Sequence, residues 1–157
     1  MMNLKELRKS KNITQTQASQ FVDIPLRTYK NYENDLRKVN TIKYNYITEK
    51  LDSYGYIDEE HGILTVEEIR KACANVFNKE DVEYCYLFGS YAKAKANEKS
   101  DIDLLVSTSF TGLNFYGLVE KLRVNLKKKV EVLTVAQLNT NQELIGEILK
   151  NGIKIYG

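Results

Sequence analysis

Apolar residues in the first third of the chain recur at helical spacing and show no strand-like alternation. Leu4 and Leu7 lie on one face of a first predicted helix. The segment 12–14 interrupts that helix, and Thr14 is a suitable N-cap for a second helix over 15–21, because its hydroxyl can accept a free backbone amide. The pattern therefore predicts two short helices separated by a brief interruption.

Two further helices are predicted before residue 53. Pro25, the only proline in the chain, lies where a third helix ending near Asn34 would begin, a position that costs no intrahelical hydrogen bond. A fourth helical run covers about 39–51, and the apolar residues on its inner side are Ile42, Tyr46 or Ile47, and Leu51. The four helices would form a small domain with its own core.

The hydrophobic pattern changes near residue 54. The segment 53–62 is polar and contains two of the eight glycines, which suits a linker. From residue 65 onward, helical periodicity alternates with short β-rich runs. The predicted fold class is α + α/β, with an all-α domain at 1–53, a linker at 54–64, and an α+β domain with a mixed sheet at 65–157.

The elements of the second domain follow from helix caps and strand alternation. Thr65 and Glu68 have the spacing of a capping box ahead of a helix that ends near 78. Strands are predicted at 82–88, 101–106, 129–134 and 153–156, and helices at 113–122 and 141–150. The last helix would bury Leu144, Ile145, Ile148 and Leu149 and end at Gly152. The three lysines at 127–129 are interpreted as a charge cluster that complements a helix C-terminus.

Composition narrows the class of protein. The chain is 43% hydrophobic and 28% charged, as in globular proteins. No apolar run approaches the roughly 18 residues of a membrane-spanning helix, and the N-terminus lacks a signal peptide's apolar body, so we expect a cytoplasmic protein with no membrane partner. Cys73 and Cys85 are isolated and His61 is the only histidine, which argues against a zinc site or disulfide and predicts buried thiols. A net charge of +2 does not by itself indicate nucleic-acid binding.

Two aspartates at the start of a predicted strand are the clearest candidates for chemistry. Asp101 and Asp103 project from the same strand face, with Ile102 turned into the core. Adjacent carboxylates repel unless a cation or proton compensates them, and oxygen ligands favour Mg²⁺ or Mn²⁺. Upstream, Gly89 allows close approach by a phosphate, and Ser90 offers a hydroxyl and an amide to phosphate oxygens. Together these residues have the properties of a site for a metal-bound triphosphate.

These two motifs resemble the minimal, or MNT-type, nucleotidyltransferases of the DNA polymerase beta-like superfamily. The matching segments are Leu87-Phe88-Gly89-Ser90-Tyr91-Ala92-Lys93 and Lys99-Ser100-Asp101-Ile102-Asp103-Leu104-Leu105-Val106. The resemblance extends over most of residues 65–157 and implies an α+β nucleotidyltransferase domain. It implies ATP as substrate and Mg²⁺ or Mn²⁺ as cofactor.

The resemblance also implies roles for individual residues. Asp101, Asp103 and a third acidic residue, Glu131, would be both catalytic residues and metal ligands, and Gly89, Ser90 and Lys93 would bind the nucleotide. Aspartate is commoner than glutamate at the third acidic position, and the family often has arginine and glycine where this chain has Lys93 and Ala94. The alternative is that Glu131 faces solvent and that the loop lysines are solvated.

The N-terminal helices resemble the lambda-repressor-like, or XRE-type, helix-turn-helix family. The resemblance rests on Ile13-Thr14-Gln15 and on the segment Pro25-Leu26-Arg27-Thr28-Tyr29-Lys30-Asn31-Tyr32-Glu33-Asn34. It implies that Gln15 binds a DNA phosphate and that Leu26, Arg27, Lys30 and Asn31 face the major groove. The alternative is a helical module used for dimerisation or protein contact.

The two resemblances together imply one functional hypothesis and one alternative. Minimal nucleotidyltransferases are often paired with HEPN-type ribonuclease toxins, and some adenylylate the toxin. An attached helix-turn-helix domain implies an antitoxin that transfers AMP from ATP to a protein hydroxyl, binds operator DNA as a possible homodimer, and represses its own operon. The alternative is a non-catalytic transcriptional regulator whose nucleotidyltransferase fold only binds a nucleotide or a partner protein.

Overall fold

A computed structural model describes residues 2–157. The chain forms two compact units, of which the first ends at Tyr56 and the second spans Ile57–Gly157. Each unit has a hydrophobic core of its own. The fold class predicted from the sequence is confirmed, because a helical N-terminal region precedes a mixed sheet with helices.

The first unit contains four short helices. They are α1 (Leu4–Ser10), α2 (Gln15–Phe21), α3 (Leu26–Asn34) and α4 (Ile42–Asp52). Asn3 and Thr14 cap α1 and α2 through reciprocal capping boxes, so the prediction for Thr14 is confirmed. Pro25 is the residue before α3 rather than its first helical residue.

The fourth helix differs from its prediction. It begins at Ile42 instead of near 39, because Leu36–Lys38 form a 3₁₀ turn and the Thr41 hydroxyl accepts the Tyr44 amide. This start places Tyr44, Ile47 and Leu51 in the core. Ile42 is 91% exposed and Tyr46 is also exposed, so the inward orientation predicted for Ile42 is wrong.

The second unit is built on a four-stranded mixed sheet. Its strands are β1 (Val82–Phe88), β2 (Ile102–Thr108), β3 (Val130–Thr134) and β4 (Ile153–Tyr156). Their order across the sheet is β3-β2-β1-β4. β1 is antiparallel to β2 and β4, whereas β2 and β3 are parallel. The parallel pair requires a crossover, which α7 (Gly112–Leu126) provides.

The remaining helices pack against both faces of this sheet. They are α5 (Val66–Phe77), α6 (Gly89–Ala92), α8 (Val135–Leu138) and α9 (Gln142–Asn151). Helices α5 and α7 contribute to the larger core, which also contains both cysteines. Burial raises the pKa of Cys73 to about 12 and raises that of Cys85 as well, so both are buried thiols, as predicted. Ile148 of α9 and Leu138 of α8 form a smaller core on the opposite face.

Several predicted details of the second unit change. The Thr65 hydroxyl accepts a hydrogen bond from the Glu68 amide, which confirms Thr65 as the N-cap and forms one of the two hydrogen bonds of the predicted capping box. Leu149 is 82% exposed, so its predicted burial is wrong, because only one side of α9 meets the sheet. Gly152 ends α9 without a left-handed backbone, and a Cβ there would clash with the Ile148 carbonyl. Among residues 2–157, no helix has both the length and the apolar character needed to cross a membrane.

Candidate active site

Gly89 lies at the turn where β1 ends and α6 begins. Its φ of +71° is in the left-handed region, which glycine adopts at little cost. A Cβ at this position would also clash with the carboxylate of Asp103. Backbone conformation and space therefore both favour glycine, and the Asp103 carboxylate lies directly against this turn.

The sheet register brings the acidic residues together. Asp103 pairs with Phe88 of β1 on one side and with Glu131 of β3 on the other. Asp101 lies two residues earlier, so it shares the strand face of Asp103, whereas Ile102 between them is fully buried. Asp103 is half-buried, and Asp101 and Glu131 are exposed. The three predicted acidic residues are therefore neighbours on one face of the sheet.

The electrostatics of Asp103 indicate uncompensated negative charge. Burial raises its pKa, and the neighbouring carboxylates of Glu131, Asp101 and Glu147 raise it further, to about 7. Glu147 comes from α9 and was not among the residues expected at this site. A carboxylate surrounded by other carboxylates is stabilised by a proton or a cation, so this cluster favours a positively charged ligand.

The donor chemistry of this cluster fits a hard divalent cation. Carboxylate oxygens are the ligands that Mg²⁺ and Mn²⁺ prefer. Within the part of the chain that the structure describes, no three His, Cys, Asp or Glu side chains are already arranged as a metal-binding group. The residues therefore match the cation in chemistry and charge, and the assignment of Asp101, Asp103 and Glu131 as ligands stays a prediction.

A groove opens beside two of the carboxylates. It has a volume of about 410 Å³ and is lined by Asp101, Glu131, Lys129, Arg123, Glu120, Val119 and Val130. Acidic and basic side chains thus line the same groove. A larger recess of about 590 Å³ lies between α9 and the sheet, and none of its lining residues in the described part of the chain is acidic. The smaller groove is therefore the one that adjoins the candidate chemistry.

The helical unit has a buried ion pair beneath its candidate DNA-facing surface. Arg8 Nη2 lies 2.9 Å from Glu33 Oε1, and the Glu33 side chain is fully buried. Gln15 Nε2 donates to the same carboxylate at 3.3 Å. Burial favours a raised pKa for Glu33, but the hydrogen bonds from Arg8 and Gln15 and the charge of Arg8 outweigh it, and the pKa is lowered. Gln15 is therefore oriented by Glu33 in this structure.

Helix α3 presents polar side chains to its surroundings. Arg27, Lys30 and Asn31 are exposed, whereas Leu26 is half-buried. Beside them, the ammonium groups of Lys38 and Lys43 lie 4.6 and 5.7 Å from the centre of the Tyr32 ring. This surface has the donors and positive charge that a DNA contact needs, and its DNA-binding role stays a prediction.

Comparison with known protein families supports both sequence resemblances. Residues 71–157 match the family described as polymerase beta nucleotidyltransferase, and residues 4–42 match a helix-turn-helix family. The chain belongs to the polymerase beta nucleotidyltransferase family. Its N-terminal unit is a helix-turn-helix domain. A search of curated proteins finds no match.

Several solved structures are similar to this chain. A toxin–antitoxin complex with AMP-PNP is 24% identical, with a TM-score of 0.47, and the match covers 60% of this chain and 74% of that one. A tri-AMPylated HEPN toxin in complex with its MNT antitoxin, from Shewanella oneidensis, gives 22% identity, a TM-score of 0.43, and coverage of 59% and 73%. The toxin–antitoxin pair MntA–HepT gives 23% identity, a TM-score of 0.38, and coverage of 59% and 69%.

The nucleotidyltransferase domain places Lys93 in an ion pair. Its Nζ lies 2.5 Å from Glu147 Oε1 of α9, and both side chains are partly exposed. Glu147 is also one of the carboxylates that raise the pKa of Asp103. Lys93 therefore lies beside the acidic cluster, and its predicted contact with nucleotide phosphates would have to replace or share this ion pair.

The sequence interpretation of the three lysines at 127–129 is wrong for Lys128. Lys127 ends α7 with a left-handed backbone, but Lys128 has no exposed surface. Lys128 lies at a bend between the end of α7 and the start of β3 at Val130, and Lys127 and Lys129 on either side of it are exposed. The local sequence does not distinguish Lys128 from its neighbours, because its burial depends on main-chain carbonyls from distant segments.

Proposed function

We propose that this protein is a metal-dependent nucleotidyltransferase that transfers AMP from ATP to a hydroxyl group of a partner protein. The observation that carries the proposal is the acidic cluster of Asp101, Asp103 and Glu131 against the glycine turn at Gly89. The raised pKa of Asp103 supports a cation at this position, since burial and neighbouring carboxylates both disfavour its negative charge. Membership of the polymerase beta nucleotidyltransferase family supports the reaction class.

Each residue of the cluster has a chemical role in this proposal. Asp101 and Asp103 would hold a divalent metal, which supplies positive charge against the triphosphate when it is bound. The space left by the absent side chain of Gly89 is occupied by the Asp103 carboxylate, so this turn would hold Asp103 in place, and the Ser90 hydroxyl would donate to a phosphate oxygen. Glu131 accepts the proton of the attacking hydroxyl.

The transfer itself exchanges one phosphorus–oxygen bond for another. The acceptor oxygen forms a bond to the α-phosphorus of ATP, and the bond from that phosphorus to the bridging oxygen breaks. Pyrophosphate leaves with the electron pair, and the acceptor hydroxyl loses its proton to Glu131. The groove beside Asp101 and Glu131, about 410 Å³ in volume, is the proposed approach for the acceptor hydroxyl.

The helix-turn-helix domain supports a second part of the proposal, which is binding to operator DNA. Arg27, Lys30 and Asn31 are exposed on α3, and arginine and asparagine match the edges of guanine and adenine. A reader of this kind usually binds as a dimer to two half-sites, so a homodimer is proposed on DNA. Combined with the resemblance to minimal nucleotidyltransferases, this favours an antitoxin that modifies a HEPN-type toxin and represses its own operon.

A label-transfer experiment tests the enzymatic proposal. The protein is incubated with Mg²⁺, ATP labelled at the α-phosphate, and a HEPN-type partner encoded beside its gene. We expect label on the partner, and its loss in an Asp101→Asn Asp103→Asn variant. Glu143→Gln is the matched control, because Glu143 is an exposed acidic residue on α9. Equal labelling by the wild type and the double variant would refute the proposal.

The non-catalytic regulator is a second candidate, favoured by one observation. Lys93, a predicted nucleotide-binding residue, is instead paired with Glu147 in this structure. Calorimetry with ATP and Mg²⁺ measures nucleotide binding, and the label-transfer experiment measures catalysis. Together the two measurements separate the enzyme from the non-catalytic regulator. Nucleotide binding without transfer, together with operator binding in a gel-shift assay, would favour the regulator.

A further inference from the structure

Lys128 is a buried lysine whose side chain connects two loops. It has no exposed surface. Its ammonium donates to the main-chain carbonyls of Glu98, at 2.7 Å, and His61, at 2.9 Å. Burial lowers the pKa of Lys128, although the nearby carboxylates of Asp58, Glu98 and Glu60 favour the charged form. A buried ammonium is costly, so these two hydrogen bonds are the compensation for its position.

The backbone at Lys128 is held on both sides. The Lys127 amide donates to the Arg123 carbonyl at 2.8 Å, which closes the end of α7. On the other side, the Ile102 amide donates to the Lys129 carbonyl at 2.9 Å and begins the pairing of β2 with β3. The Lys128 side chain therefore extends from a base that is anchored to a helix end and to the sheet.

The first carbonyl that Lys128 binds belongs to the turn ahead of the two aspartates. The Ser100 amide donates to the Asn97 carbonyl at 3.1 Å, and the Asn97 amide donates to Ser100 Oγ at 2.8 Å. Glu98 lies inside this turn, and Asp101 follows it directly. The hydrogen bond from Lys128 to the Glu98 carbonyl thus links the turn at 97–100 to the base of β3.

The second carbonyl belongs to the segment that precedes α5. His61 lies in this segment, and the neighbouring Gly62 amide donates to Glu98 Oε1 at a long 3.4 Å. Lys99 and Glu60 form a further ion pair at 3.4 Å, but their side chains are 76% and 65% exposed. Exposed pairs of this kind contribute little, so Lys128 is the principal buried connection between the segment and the turn.

We infer that Lys128 is a positioning residue of the nucleotidyltransferase domain, which holds the turn at 97–100 and thereby sets the place of Asp101 beside Asp103. It does not contact the reacting groups. Its effect on metal binding rests on the proposed function, whereas its effect on the order of the turn does not. Groups that orient metal ligands without binding the metal commonly change metal affinity by about 10- to 100-fold.

The first experiment compares Lys128→Met with Lys127→Met. Both changes remove one lysine charge and keep an unbranched side chain, but Lys127 is exposed. We expect amide hydrogen exchange at 97–101 and 58–62 to become at least about tenfold faster in Lys128→Met, because two buried carbonyls lose their donor. Mn²⁺ affinity, measured by electron paramagnetic resonance, should fall by about 10- to 100-fold. Lys127→Met should match the wild type in both measurements.

Chemical rescue separates hydrogen bonding from space filling. Lys128→Ala leaves room for propylammonium, which can donate to both carbonyls, whereas tetramethylammonium carries the charge without an N–H donor. We expect propylammonium alone to slow hydrogen exchange at 97–101 and to raise the thermal midpoint. A ligand that binds only the folded state raises its thermal midpoint. The thermal midpoint of Lys128→Ala with propylammonium therefore tests the inference even if the Lys128→Met variant fails to fold.

Two results would overturn the inference. One is hydrogen exchange at 97–101 in a folded Lys128→Met protein that equals that of Lys127→Met. The other is equal stabilisation of Lys128→Ala by propylammonium and tetramethylammonium. If the wild-type protein binds no Mn²⁺, the proposed function fails instead, and the exchange of the turn still tests Lys128.

Discussion

Replacing Gly89 with alanine perturbs the candidate site in two separable ways. The backbone at Gly89 has a φ of +71°, so any residue with a Cβ is strained there by about 1–2 kcal/mol. The added methyl group would also overlap the Asp103 carboxylate, which must move by about 1 Å to reach ordinary contact distance. A displacement near 1 Å at a reacting centre can lower a rate by about a hundredfold. We therefore expect a modest loss of stability and a large loss of function.

Gly112 is the matched control for this change. It belongs to the same domain and has a φ of +55°, but a Cβ there meets nothing within 4 Å. Gly112→Ala should therefore show the backbone strain without any displacement of Asp103. Urea unfolding measures the loss of stability, which should be similar in the two variants. Calorimetry with Mn²⁺ and the AMP-transfer assay should separate them, with transfer reduced about a hundredfold only in Gly89→Ala. Equal Mn²⁺ affinity and equal transfer in the two variants would refute the reasoning.

Three further predictions concern the acidic strand, the buried ion pair and the DNA-facing helix. Glu131→Gln should lower AMP transfer by about 10²- to 10⁴-fold and leave operator binding unchanged, and unchanged transfer would contradict its role as a base. Arg8→Met should destabilise the first domain by about 3 kcal/mol in urea, because it leaves Glu33 buried and unpaired, whereas the exposed Arg37→Met should have little effect. Because the folded pKa of Glu33 lies below its ordinary value of 4.5, its contribution is complete above about pH 4.5 and is lost as the pH falls through the folded pKa. Glu33→Gln should remove that pH dependence from the unfolding curves, and its persistence would count against the pair. Arg27→Ala should weaken operator binding in a gel-shift assay by about 1–3 kcal/mol, and equal affinity for the variant would argue against a base contact.

Local chemistry explains why much of the site was accessible from the sequence. The face shared by Asp101 and Asp103 follows from strand alternation over three residues. The preference for glycine at position 89 follows from the sharp turn that comes directly after β1. Glu131 was assigned from the resemblance, and the parallel pairing of β2 and β3 does place it beside Asp103. Short-range rules are sufficient wherever the determining neighbours are close in the chain.

Other features depended on contacts between distant segments. Ile42 and Leu149 have the spacing of buried helical residues, yet both are exposed, because no element within residues 2–157 covers that side of α4 or α9. Glu147 is 44 positions from Asp103 in the chain, and only the packing of α9 brings its charge to the acidic cluster. Helical periodicity identifies an apolar side but does not say how much of that side a neighbour will cover.

The sequence by itself determined the two-part architecture, the helices and strands of each part, and the motif that joins Gly89 and Ser90 to Asp101 and Asp103. These depend on periodicity, capping and turn chemistry, which act over a few residues. The tertiary structure alone decided that Lys128 is buried beneath the loop at 97–100. Its two acceptor carbonyls come from segments 30 and 67 residues away, and hydrogen bonds over such separations exist only once the chain has folded.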